Sequence, residues 1–146
     1  MAFDKATSAG FLANHLARLF ASHLQARIAD LGLAPAQFMT LLELWERDGL
    51  TQADLTARLD VEQATMANTL KRMERDSLIR RTDHPDDRRA QLIWLTDKAR
   101  KLEAPAKKAA DAVNRAALAD LPKAQRAAVV RLMGRMIETM RGARGS

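Results

Sequence analysis

From about Ser8 to Leu31 the apolar residues recur with a helical period. Leu12, Leu16, Leu19, Phe20 and His23 share one face, and Leu24, Ile28 and Leu31 drift onto the neighbouring one. That arc is wide for a surface helix. Gly32 ends the segment, Pro35 opens a second helix, and Phe38, Leu41, Leu42 and Trp45 form its apolar stripe up to the Asp48-Gly49 turn. Thr51-Gln-Ala-Asp54 has the form of a capping box, a hydroxyl that accepts orphan amide hydrogens with a carboxylate three residues on. A short helix through Leu55 and Leu59 is therefore expected.

A further helical segment runs from about Glu62 to Asp76. With Met66 set at zero, Leu70 and Met73 fall within about 40° of it at 3.6 residues per turn. Ala64, Thr65, Asn68, Lys71, Arg72 and Arg75 point away, which lines small, amide and basic side chains along one face suited to a polar partner. Leu78-Ile-Arg-Arg-Thr82 and Ala90-Gln-Leu-Ile-Trp-Leu-Thr96 flank the turn-rich Asp83-His-Pro-Asp-Asp-Arg-Arg89, so a hairpin with a charged tip is predicted. Thr96 can cap a long Ala-rich helix towards Leu118, which Pro105 should kink or restart, and Leu121-Pro122 opens a last helix. There Val129, Leu132, Met133, Met136, Ile137 and Met140 share an arc that leaves Arg131 and Arg135 outside. No internal repeat or separate linker interrupts this order.

Composition narrows the picture. Residues 1–146 are the length of one ordinary domain, and 47% apolar with 29% charged residues excludes disordered and collagen-like chains. There is no cysteine, which closes off disulfides, thiolate nucleophiles and Cys-ligated zinc. No apolar run is long enough for a membrane span, and Met-Ala-Phe-Asp-Lys lacks the layout of an export signal, so a cytoplasmic protein without a membrane partner is expected. The net charge of +6 is uneven: residues 1–50 carry four Lys/Arg against five Asp/Glu, residues 51–96 eight against eight, and residues 97–146 twelve against five. Because the basic excess is C-terminal, total charge is weak grounds for a nucleic-acid partner, and local pattern has to decide.

The order helix, helix, capped short helix, turn, polar-faced helix, hairpin, helix, helix is that of a winged helix-turn-helix between terminal helices, a mainly α fold with a small β wing. A helix fits the major groove, where an amide or a guanidinium tells base pairs apart, and an Arg-bearing hairpin tip can enter the minor groove beside it. The alternative is that residues 51–76 are ordinary core helices with a solvated face and residues 78–96 an ordinary hairpin. His15, His23 and His84 lie in different contexts, and no Ser-His-Asp set, paired carboxylates or Gly-rich phosphate loop emerges, so neither catalysis nor a cofactor is expected. His15 and His23 with nearby carboxylates offer a metal site only in principle, since a histidine on an apolar face is more often packed. The seven methionines sit at helical spacing and read as core filling.

Two blocks carry a resemblance: Leu59-Asp-Val-Glu-Gln-Ala-Thr-Met-Ala-Asn-Thr-Leu-Lys-Arg-Met-Glu-Arg-Asp-Ser-Leu-Ile-Arg-Arg81, and Asp83-His-Pro-Asp-Asp-Arg-Arg-Ala-Gln-Leu-Ile-Trp-Leu-Thr96. In the second, an acidic residue stands two before an arginine and the strand ends in Leu-Thr. On these the chain resembles the MarR-type winged helix-turn-helix transcriptional regulators over nearly its whole length. The resemblance implies a single MarR-like domain, with a DNA-binding lobe at approximately 35–96 and dimerisation helices at approximately 8–31 and 97–142. It further implies a ligand-responsive homodimeric repressor on a pseudo-palindromic double-stranded DNA operator, with recognition helices in successive major grooves and wings in flanking minor grooves. Two positions depart from the family pattern. Ser77 stands where the family usually has Gly, at a turn that favours a left-handed backbone, and Ala64 replaces a more usual Pro or Ser.

Residue roles follow from that likeness. Gln63, Thr65 and Asn68 would meet base edges, and Lys71 and Arg72 bases or phosphates. Arg75 is less clearly placed. Arg89 matches the wing arginine, with Asp87 expected to hold its guanidinium by a bidentate pair, against the alternative of a plain exposed salt bridge. Arg88 could share the role or touch phosphate, and Thr51 could touch phosphate as well as cap its helix. Members of the family commonly sense a small, often aromatic, acidic effector, and His15, Arg18, Met39 and Trp45 are the candidate pocket here. Against this, Trp45 also suits the core and Arg18 an intersubunit salt bridge. The runner-up function is a winged-helix module that mediates protein contacts or coats DNA without sequence choice.

Overall fold

The computed structural model describes residues 2–144. The chain divides into two compact units, Met1–Ala110 and Asp111–Ser146. In the first, a 3-10 turn at Lys5–Thr7 leads into α1 (Ala9–Ile28), capped by Ser8, whose hydroxyl accepts the Phe11 N–H at 3.2 Å. The helical segment expected to reach Leu31 is α-helical only to Ile28; its last residues, Ala29–Leu31, tighten to a 3-10 turn before Gly32 at φ +76° ends it. Pro35 is the first residue of α2 (Pro35–Glu46). Ala34 before it has no capping oxygen, and Gln37 compensates by accepting the Ala34 N–H at 3.1 Å.

There follow β1 (Leu50–Thr51), α3 (Gln52–Leu59), α4 (Gln63–Arg75), β2 (Ile79–Asp83), β3 (Gln91–Leu95) and α5 (Asp97–Leu118). The three strands form an antiparallel sheet in the order β1-β3-β2, with Leu50 opposite Ile93 and Ile79 opposite Leu95. The core beneath it is built from Ile28, Leu41, Leu44, Leu55, Leu70, Met73, Ile93, Ala99 and Ala106, each 0% exposed. Each large member stabilises the fold by about 1.5–3 kcal/mol relative to an exposed position. Asp48 ties the two ends of the sheet together. Its Oδ1 accepts the N–H of Gly49 at 3.0 Å and of Leu95 at 2.9 Å, and its Oδ2 accepts from Arg100 at 3.3 Å.

The turn leaving α4 adopts the left-handed conformation expected at Ser77, where the pattern the chain resembles has glycine. Ser77 has φ +61°, its N–H donates to the Glu74 carbonyl at 3.1 Å, and the Leu78 N–H donates to Met73 at 2.8 Å. These are the two bonds of a Schellman motif, and buried Leu78 and Met73 supply its apolar contact. Serine therefore keeps the turn and bears the left-handed strain, about 1–2 kcal/mol for an L-residue. Ser77→Gly is expected to raise the unfolding free energy by about 1 kcal/mol in a urea titration, less than the strain because glycine adds chain entropy to the unfolded state. An unchanged or lower midpoint would show the turn to be unstrained.

Thr96 caps α5 as expected, its hydroxyl accepting the Ala99 N–H at 3.2 Å. Of the kink or restart expected at Pro105, the restart does not occur: α5 runs through it. Burial of Ala99, Leu102 and Ala106 on the same helix offsets the one hydrogen bond a mid-helix proline removes.

In the second unit, α6 (Lys123–Arg144) starts one residue after Pro122, whose carbonyl accepts the Gln125 N–H at 2.8 Å. The Arg126 guanidinium closes the preceding turn by donating to the carbonyls of Leu121 at 2.9 Å and Ala119 at 3.1 Å. Val130, Leu132, Met133, Met136, Ile137 and Met140 of α6 are 46–72% exposed. In the first unit the α1 stripe of Leu12, Leu16 and Leu19 is likewise 42–47% exposed. Among the described residues no helix is long and apolar enough to cross a membrane.

Candidate nucleic-acid interface

Helix α4 is amphipathic in the sense its sequence predicts. Met66, Leu70 and Met73 are buried, while Gln63, Thr65, Asn68, Lys71 and Arg72 are exposed. Its base is fixed by Asp76, a residue the sequence did not single out. The Asp76 carboxylate accepts from Arg75 Nε at 3.0 Å and from buried Gln37 Nε2 at 2.9 Å, and its carbonyl accepts from Lys98 at 2.8 Å. Hydrogen bonds from Arg75 first, then from Gln37, hold the Asp76 carboxyl below the usual carboxylate range. Arg75 is thereby turned to the foot of the helix rather than to its polar face.

At the start of α3 the capping box is complete. Thr51 Oγ1 accepts the Asp54 N–H at 3.1 Å and Asp54 Oδ2 accepts the Thr51 N–H at 3.0 Å. The Thr51 backbone bond is the main cause of a lowered Asp54 pKa, with the Thr51 hydroxyl adding to it against desolvation. Gln52, which sequence reasoning missed, joins the starts of the two helices by donating to the Gln63 side chain at 3.1 Å.

The wing strands β2 and β3 are locked by Trp94, whose Nε1 donates to Thr82 Oγ1 at 2.8 Å while Arg80 lies over the ring at 5.8 Å. At the tip, Asp87 Oδ1 accepts the backbone N–H of Arg89 at 2.9 Å and lies 3.8 Å from its Nε. The expected bidentate pair is thus a single-oxygen contact, and the carboxylate chiefly holds the turn's backbone. The Arg89 side chain is 95% exposed. His84 Nδ1 accepts two further backbone N–H groups, from Asp86 at 3.0 Å and Asp87 at 3.1 Å.

These elements meet at one hollow of about 430 Å³, lined by Thr51, Gln52, Gln63, Arg81, His84 and Arg89 among others. Thr51, Gln63, Asp87 and Arg89, picked out separately along the chain, are brought together there. Thr65, Asn68, Lys71 and Arg72 continue the exposed face along α4, and Arg88 stands exposed beside Arg89. A second hollow of about 560 Å³ lies between the end of α1, the segment 32–37 and α4, with Arg72, Arg75 and Asp76 on its wall. His15, Arg18, Met39 and Trp45 line neither of these hollows. Trp45 is half-buried, with Nε1 donating to the Ala99 carbonyl at 3.1 Å and its ring edge-on to Phe38. His15 and Met39 are exposed, His15 lying edge-on to Phe11. Among the described residues no group of three or more His, Asp or Glu is placed to hold a metal ion.

The family model for MarR matches residues 33–90, which contain the first block that carried the resemblance, the second as far as Ala90, and most of the hollow's lining. A MarR transcriptional regulator from Methanosarcina mazei Go1 superposes with a TM-score of 0.86 at 25% identity, covering 92% of this chain and 96% of that one. PcaV, a transcriptional regulator from Streptomyces coelicolor solved in complex with its natural ligand, superposes at 0.83 and 25% identity, covering 94% and 97%. The HTH-type transcriptional regulator TtmR of Methylorubrum extorquens (strain PA1) is 36% identical over 88 residues, 60% of this chain, and the match spans 45% of that relative's length. With the polar-faced helix, the wing and the fold all in the places these comparisons require, residues 33–90 match the MarR family model and the chain has the fold of MarR regulators.

Proposed function

We propose that the chain is a homodimeric, sequence-specific regulator of transcription, acting on double-stranded DNA in the cytoplasm and performing no catalysis. The observation that carries this reading is the hollow that joins the exposed face of α4 to the wing tip. Two readers separated in sequence thereby share one surface. Gln63, Thr65 and Asn68 read base edges in the major groove, Lys71 and Arg72 meet bases or phosphates, and Thr51 meets phosphate. Arg88 and Arg89 enter the minor groove from a tip that Asp87 holds in shape. The lobe is 35–96, and the uncovered stripes of 8–31 and 97–142 pair across a two-fold axis, so the operator is pseudo-palindromic. The likeness to PcaV, solved with its natural ligand, supports a small effector that relieves repression; the family resemblance suggests an aromatic or acidic one, with His15, Arg18, Met39 and Trp45 as the side chains to test.

Two substitutions separate the readers. Asn68→Ala is expected to lose about 1–3 kcal/mol on the cognate site and little on random DNA, because an amide at a base edge specifies. Arg89→Ala is expected to weaken binding and lower the slope of log K against log salt by roughly one, with thermal stability unchanged. Fluorescence anisotropy at several salt concentrations reads both. Equal losses by Asn68→Ala on both DNAs would remove base reading from α4. An unaltered slope for Arg89→Ala would reduce the wing to a surface hairpin.

A further inference from the structure

We propose that His84 positions the wing, and does so only as the neutral imidazole, so that acidification loosens the Arg88-Arg89 tip and weakens DNA binding. The DNA-binding consequence rests on the regulator reading above; the conformational change does not.

The two N–H groups that follow Pro85 both point at His84 Nδ1, at 3.0 and 3.1 Å. A ring nitrogen that accepts must offer its lone pair, so the ring is neutral with its proton on Nε2. Protonation turns that acceptor into a donor and sets three N–H groups against one another. Few other bonds hold the tip: His84 N–H to the Ala90 carbonyl at 3.3 Å, Ala90 N–H to the Asp87 carbonyl at 3.2 Å, and Arg89 N–H to Asp87 Oδ1. Losing the two bonds to His84 releases Asp87, and with it the carboxylate that orients the Arg89 backbone.

The charged groups around the ring all belong to the hairpin. Asp83, Asp86 and Asp87 lie in the hairpin itself, and Arg81 and Arg89 share its hollow, while α3 and α4 face it with the uncharged Gln52 and Gln63. Arg81 is held by Glu74 at 3.5 Å. Among side-chain types imidazole is the one whose charge ordinarily changes between about pH 5 and 8. Its protonation also adds a positive charge beside a surface meant for phosphate, which alone would strengthen DNA binding. The two effects have opposite signs, so the direction of the pH dependence tells them apart.

The test uses the full chain and a labelled duplex selected from a random pool at about pH 8. Wild-type affinity is expected to fall roughly 5–10-fold by about pH 5.5, a factor of a few for each lost hydrogen bond. His84→Asn, whose Oδ1 can accept the same N–H groups without titrating, should bind more tightly than His84→Ala at the higher pH and give a flat profile. His84→Ala should bind weakly at both. In the DNA-free protein the Asp86 and Asp87 amide proton resonances should move upfield together on acidification, and stay in place in His84→Asn. Affinity that is flat or rises in acid, a His84→Asn variant that keeps the wild-type slope, or wild-type amides that do not move would each overturn the proposal. If no duplex is selected even at the higher pH, the regulator reading fails, and the amide resonances still decide the switch.

Discussion

Gly49→Val is expected to destabilise the protein by about 3 kcal/mol or more, the sum of a strained backbone and an overpacked contact. Gly49 has φ +73°, and a Cβ there would lie 2.7 Å from Trp94 Cη2 and 2.8 Å from Cζ3. The indole has little room to retreat, being bonded to Thr82 on one side and covered by Arg80. Gly49 cannot move away either, because its N–H donates to the Ile93 carbonyl at 3.0 Å and to Asp48. Denaturant titration checks the magnitude. Placing the substitution in a Trp94→Leu background divides it, since the steric part should recover and the φ part should remain. A loss below about 1 kcal/mol in the wild-type background would mean that the turn between α2 and β1 yields easily.

Met133→Asp combined with Ile137→Asp is expected to abolish the dimer and operator binding together. These residues sit in the α6 stripe that is 46–72% exposed. Apolar patches of this extent on one chain mark interaction surfaces, and placing carboxylates in such an interface costs several kcal/mol for each ion. Light scattering should find wild type at twice 16.2 kDa and the variant either at 16.2 kDa or unfolded, as obligate dimers often have no stable folded monomer. A variant that stays dimeric would move the interface off α6. A folded wild-type monomer at micromolar concentration would remove the dimer.

Helices were the most legible part of this fold because their signals are local. Thr51 and Thr96 each cap the helix their position implies, and the period through Met66, Leu70 and Met73 set the buried face of α4. Strand β1 escaped notice because two residues carry no alternation; it exists through pairing with β3, over 40 positions away in sequence, and through the Asp48 carboxylate. The candidate interface was legible wherever an exposed side chain on a helix sufficed, as at Asn68 and Lys71. Residues that act by bonding to a distant backbone or side chain left no such signal. Gln37 on Asp76 spans 39 positions, and Gln52 on Gln63 spans 11. Asp87 was found but given the wrong emphasis, since its shorter contact is to the Arg89 backbone rather than to the guanidinium. His84 was passed over because two backbone N–H groups converging on Nδ1 are a property of the folded turn, not of the word His-Pro.

Footprinting of the DNA upstream of the protein's own gene, with random DNA as competitor, tests sequence-specific binding most directly. The expected result is two protected clusters related by a pseudo-palindrome and centred roughly 10 base pairs apart, or a multiple of that, retained under excess random DNA. Uniform coverage that the competitor removes, or no protection at all there and on any duplex drawn from a random pool, would contradict the assignment of α4 and the wing as sequence readers.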